Sequence, residues 1–319
     1  MKTPKSSALH PDSQSIRSQV LRGIAGNRNP GLHFPGYFLG LAWSNIGDST
    51  ARVTIADGPH YINASGMVDI SALAVLADTA LGTAVRLQLE PGIRLATLRM
   101  HMQFTGTPAH GKVSATAHLL GSSTGSKLPQ WMAAATLMAN GQPVCHASGE
   151  FAALIPPPGV KLAPLPWEHP ELPPIADLKT HDMKPNERLI LRACERALSR
   201  TSTHASFIEH FWSGVPKRSA TGAANNVPIG LQIANRVGHV QGGISLGIAA
   251  TSACAAAPHS MMLGGISAWY IGPGHGSGLR VRSRVVHKGR TIAVVRTEVK
   301  NANGERVLEV VTHHVEKAR

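Results

Sequence analysis

Cysteine, aromatic side chains and acids are all scarce in this sequence of 319 residues. The three cysteines, Cys145, Cys194 and Cys254, lie far apart and form no CxxC pair. That excludes a disulfide framework and makes a reduced, cytoplasmic setting the expectation. Aromatics make up only 4%, too few for an evident base-stacking platform, and no zinc-finger spacing or aromatic RNA-binding signature is present. Acids number 18 against 31 Lys and Arg, so the chain carries a charge of +13. Without those signatures the charge does not point to nucleic acid first. No run approaches the ~18 apolar residues of a membrane span, and Met1–Val20 has no hydrophobic segment, so neither a span nor a secretory signal is expected. Adjacent His313 and His314 would face opposite sides of a strand, poor geometry for a shared metal, and no metal is expected. A GxSxG serine elbow is also missing.

What is present is core material, 43% of the chain being hydrophobic, and an internal repeat. The segment HYINASGMVDISALAVLADTALGTAV, which starts at His60, has a counterpart in QIANRVGHVQGGISLGIAATSACAAA, which starts at Gln232. In that register Asn63 meets Asn235, Gly66 meets Gly238, Val68 meets Val240, Ala77 meets Ala249 and Thr79 meets Thr251. Each copy reads as a loop, one long apolar helix (Ile70–Leu87 and Gly243–Ala256), then four strands with period-2 texture. Asn140-Gly141 and Asn303-Gly304 mark the last turn of each copy. The expected organisation is a basic flexible tail over 1–30, a first unit over 31–154, a proline-rich tether over 155–224 with a bracing helix near 186–200, and a second unit over 225–319. The fold class is α+β, two similar units making a pseudo-dimer within one chain.

The first helix is apolar nearly all round, so it is a buried one. Asp78 sits in its middle, where an unpaired carboxylate is costly. It is a candidate general base or nucleophile; the alternative is a carboxylate bonded to buried hydroxyls or backbone. Asp69 reads as an ordinary N-cap, whereas the second copy has Gln241-Gly242-Gly243 there, glycines that admit a ligand to an open, positive helix end. Ala250 replaces Asp78 in the second copy, so two equivalent sites have become one composite site. On the strand Gly278–His287, Arg280, Arg282 and Arg284 share a face, as a solvated surface or as a strip for a multiply phosphorylated ligand.

Asn235 with Val240-Gln241-Gly242-Gly243 resembles the Asn…HGG helix entry of hotdog-fold acyl-CoA thioesterases, and Leu76-Ala77-Asp78 resembles their Leu-Ala-Asp helix motif. The likeness is to the phenylacetic-acid-degradation type and covers roughly 35–153 and 225–315. It implies a tandem, or double, hotdog: in each half a long central helix wrapped by a curved antiparallel β-sheet, with the active site built across the pair. It further implies hydrolysis of a fatty or aromatic acyl-CoA, with coenzyme A entering as part of the substrate and no cofactor. By resemblance, Asp78 activates water or attacks the thioester, the Gly242 or Gly243 amide holds the carbonyl oxygen, and Asn235 and Gln241 orient substrate or water. Thr97 stands near a hydroxyl position of the family. Gln241 departs from the usual His. The expected partner is the acyl-CoA, with Arg280, Arg282 and Arg284 as phosphate ligands; a homo-oligomer stays open. Rival readings are a non-catalytic acyl-CoA-binding module and a hotdog enoyl-CoA hydratase. The hydratase needs a His paired with an acid, and His60, His101, His239 and His259 are the nearby imidazoles.

Overall fold

The computed structural model describes residues 11–318 apart from 91, 124, 126–127, 157–163, 165 and 168–177. In the first half, α1 (Ser13–Asn27) and α2 (Phe34–Leu39) precede β1 (Ala42–Ser44), β2 (Thr50–Thr54), the central helix α3 (Ile70–Arg86), β3 (Arg94–Phe104), β4 (Val113–Ser123), β5 (Gln130–Ala139) and β6 (Gln142–Leu154). In the second half, α4 (Pro185–Arg200) and a π-helical turn precede β7 (Lys217–Arg218), β8 (Gly222–Pro228), the central helix α5 (Gly242–Ala256), β9 (Met261–Tyr270), β10 (Gly278–Lys288), β11 (Ile292–Asn301) and β12 (Arg306–Glu316).

All strands join one antiparallel sheet in the order β1-β2-β4-β5-β6-β3-β9-β12-β11-β10-β8-β7. The order reads the same from either end, so the halves are related by an approximate two-fold axis through the β3–β9 seam, where Arg99 pairs Trp269 and Gln103 pairs Gly265. Each central helix lies on the inner face of its own half. Alternation on the strands is strict where it is needed: Leu279, Val281 and Ser283 of β10 are buried while Arg280, Arg282 and Arg284 are exposed.

The two central helices cross at close range, and glycine makes this possible. A Cβ on Gly243 would lie 2.5 Å from Val75 Cα, and one on Gly247 would lie 2.4 Å from Ser71 Cα. These contacts are mirror images, since Ser71 is the repeat counterpart of Gly243 and Val75 that of Gly247. One helix supplies side chains where the other supplies bare backbone.

The segment 1–30 is not a flexible tail where it is described. Residues 13–27 form α1, whose Ile16, Val20 and Ile24 recur every fourth residue and are all buried. α1 and α4 begin at equivalent positions of the repeat, Ser13 and Pro185, and are tied by Arg17–Glu195 at 2.9 Å and Arg28–Glu187 at 2.7 Å. The repeat therefore includes a leading helix in each half, and α4, at the position of the expected bracing helix, is the counterpart of α1. Much of the proline-rich stretch lies outside the described residues. At the last turn of the first half, Asn140 (φ 46°) and Gly141 (φ 78°) both adopt the left-handed conformation of a two-residue hairpin. No helix among the described residues is long and apolar enough to cross a membrane.

Candidate functional site

Asp78 is set by α3, whose other faces are packed away by alanine, valine and leucine; its carboxylate opens onto a cavity between the halves. Its Oδ1 accepts from Thr97 Oγ1 at 2.9 Å, and its Oδ2 accepts from Gln241 Nε2 at 2.7 Å. Burial pushes its pKa up to about 6, while Thr97, the Gly243 amide and Gln241 pull the other way. The carboxylate and Thr97 come from the first half; Gln241, Gly242 and Gly243 come from the second. A Cβ on Gly242 would stand 3.0 Å from Asp78 Oδ2, so a side chain there would crowd the carboxylate. Gly243 has a second duty, because a side chain there would strike the backbone of α3.

The α5 end is capped, contrary to the open end expected from the sequence. Gln241 Oε1 accepts from Ile244 N at 2.9 Å while its NH2 reaches Asp78. The longer amide caps the helix and still projects toward the carboxylate. Asn235 lines the cavity, but its Oδ1 accepts from the amides of Val237 and His239, each at 3.0 Å. Asn63 does the same for Ser65 and Met67. In both halves the asparagine shapes the loop, and the carboxamide oxygen of Asn235 is already engaged there.

Tyr270 is the site residue that the sequence reading missed. Its hydroxyl donates to the Gly242 carbonyl at 3.0 Å, and burial, with the Asp78 charge, holds its pKa well above the usual phenol range. The available signal was a contrast: the first copy has Phe104 at this position.

The cavity measures about 700 Å³. Trp43, Phe151 and Trp167 wall it, with Trp43 Nε1 donating to Thr83 Oγ1 at 3.0 Å and its ring 5.8 Å from that of Trp167. Arg94 and His239 also line it, and Asp78 is the one acid among the described lining residues. Arg236, from the same loop as Asn235, donates to the carbonyls of Asn27, Asn29, Gly31 and Leu32 and holds the α1–α2 corner against the cavity.

The mirror-related position has no such chemistry. Ala250 stands for Asp78, Ile70 for Gly242, and Asp69 for Gln241. Asp69 Oδ1 accepts from Ser71 N at 2.8 Å, and burial raises its pKa to about 6. Aligning the bulges at Leu98 and Gly264 puts Leu263 where Thr97 stands. Arg280, Arg282 and Arg284 do not join the site. They lie on the outer face of β10, whose inner face packs on α5, and none of them lines the cavity; Arg280 donates to the Ala302 carbonyl at 2.9 Å. Period-2 spacing put them on one face, but that face points away from the helix. Among the described residues, no group of three or more His, Cys, Asp or Glu could hold a metal.

Residues 232–314 match the family model of the acyl-CoA thioesterase N-terminal domain. Among solved structures, a TesB protein of Mycobacterium avium subsp. paratuberculosis is similar at 12% identity over 86% of this chain and 96% of that one, with a TM-score of 0.50. A 12:0-ACP thioesterase from Umbellularia californica is similar at 12% identity over 84% and 94%, also with a TM-score of 0.50. No curated protein sequence matches.

Proposed function

We propose that this chain, a tandem hotdog protein of the acyl-CoA thioesterase superfamily, hydrolyses acyl-CoA thioesters at one composite site with Asp78 as general base. The observation that supports this most is Asp78 itself: a carboxylate with its pKa near 6, held from both halves and opening onto a cavity of about 700 Å³. At neutral pH it is ionised yet more basic than an ordinary aspartate, which suits proton abstraction from water. The Gly242 amide, at the positive end of α5, stabilises the oxyanion as water adds to the thioester carbon, while the Gly243 amide holds Asp78. Collapse of that intermediate breaks the C–S bond, and the proton taken by Asp78 passes to the leaving sulfur. Thr97 and Gln241 hold the carboxylate in line. The aromatic walls take the acyl group, and Arg94 with His239 faces the anionic coenzyme.

The hydratase alternative needs an imidazole beside the acid, whereas the groups bearing on Asp78 are Thr97, Gln241 and Gly243. The test is thiol release from a panel of aliphatic and aromatic acyl-CoAs. Asp78→Asn is expected to lower kcat by roughly 100-fold or more, the size of a general-base contribution. Unchanged turnover in the variant removes Asp78 from the chemistry, and binding without thiol release by the wild type makes the chain a binding module.

A further inference from the structure

The duplication provides an internal control for the charged outer face of the sheet. Strands β4, β5 and β6 contain no Lys or Arg and one acid, Glu150. Their counterparts β10, β11 and β12 carry Arg280, Arg282, Arg284, Lys288, Arg296, Lys300 and Arg306 against Glu298, Glu309 and Glu316. Over β4–β6 the same fold thus solvates its outer face without Lys or Arg, the outer cations of the first half being Arg52 on β2 and Arg99 on β3, so solvation of the fold does not account for the cluster on β10–β12.

Local pairing does not consume the excess. Glu298 is taken by Lys300 at 2.9 Å and Arg306 at 3.2 Å, and Glu309 by Arg296. Arg282 and Arg284 remain exposed in the rows beside them, Arg282 opposite Glu298 and Arg284 opposite Arg296. Apolar side chains accompany the charge. Val286 and Ile292, at the β10–β11 hairpin end beside Lys288, are each 47% exposed. A nucleic-acid duplex has no use for exposed valine and isoleucine, whereas the interface of an anionic bilayer takes basic groups and aliphatic side chains together.

We infer that the outer face of the second half, from Arg280 to the β10–β11 hairpin, docks peripherally on anionic lipid membranes. The face lies opposite the one that packs on α5, so a docked enzyme keeps its cavity clear of the bilayer.

Co-sedimentation of the full chain with phosphatidylcholine vesicles, with and without phosphatidylglycerol, tests this. Binding is expected only with phosphatidylglycerol and should weaken as salt rises. Replacing Arg280, Arg282 and Arg284 together by Ala is expected to lower partition about 100-fold, at roughly fivefold per cation. Ile292→Ser should weaken the binding that persists at high salt. The single Arg282→Glu, a surface change, repeats the test with minimal risk to folding, and circular dichroism checks that each variant is folded. Equal binding to both vesicles, no effect of the arginine variants, or capture by duplex DNA but not by vesicles overturns the proposal.

Discussion

Asp78 carries a folding cost that the proposed role as general base would explain. Its pKa is raised from the ordinary value of 3.8 to about 6, so the folded state binds that proton more tightly than the unfolded chain does. The stability it contributes is complete below the unfolded pKa and is lost as pH rises toward about 6. Asp78→Asn is therefore expected to raise the unfolding free energy at neutral pH by about 1–3 kcal/mol while lowering kcat; thermal melts across pH check the sign. Wild-type turnover should climb tenfold per pH unit on the acid side and level off near the Asp78 pKa. Tyr270 acts one step away. The Gly242 carbonyl that it holds shares a peptide plane with the Gly243 amide, so the hydroxyl fixes where that amide points. Tyr270→Phe is expected to lower kcat roughly tenfold, the loss of one hydrogen bond, with KM little changed and the acid limb moved upward. A profile superimposable on the wild type contradicts that role. Asp78 was readable in the sequence because a lone acid in an apolar helix stands out. Tyr270 was not, because its function lies in a hydrogen bond to a backbone atom that only folding brings near.

At the scale of elements, the α3–α5 crossing positions the site. Gly247→Ala would bring a methyl group to 2.4 Å from Ser71 Cα, a backbone atom that cannot rotate aside. The expected cost is about 1–3 kcal/mol, with catalysis impaired because Gly242 would shift relative to Asp78; denaturant unfolding and kcat together check it. The long apolar helices and the period-2 strands were visible from pattern alone, as they bury one face or all of it. α1 escaped because its arginines and serines read as a solvated tail, although Ile16, Val20 and Ile24 already marked a buried stripe. The arginines of β10 were placed on the right strand and one face, but the pattern could not say that this face turns away from the cavity. The glutamine cap was equally hidden, since residue type alone does not show a side chain serving two partners.

The whole molecule is a duplicated unit in which one of two equivalent positions keeps its carboxylate, Asp78, while the other has Ala250. The constant register of the repeat, from the leading helices to the central ones, was legible in part, since Asn63 and Asn235 and the helices that follow them align by eye. Its extension to α1 and α4 needed the structure, because those helices share burial more than residue identity. Asymmetry follows from few changes: Ala250 and Ile70 remove the carboxylate and the open glycine on one side, while Arg236 clasps the α1–α2 corner on the other. Titration calorimetry of Asp78→Asn with an acyl-CoA, followed by assay of the same cell for free thiol, tests the composite site most directly. The expected result is one binding site per chain and thiol release reduced to background. Two sites per chain, or release at the wild-type rate, would contradict it.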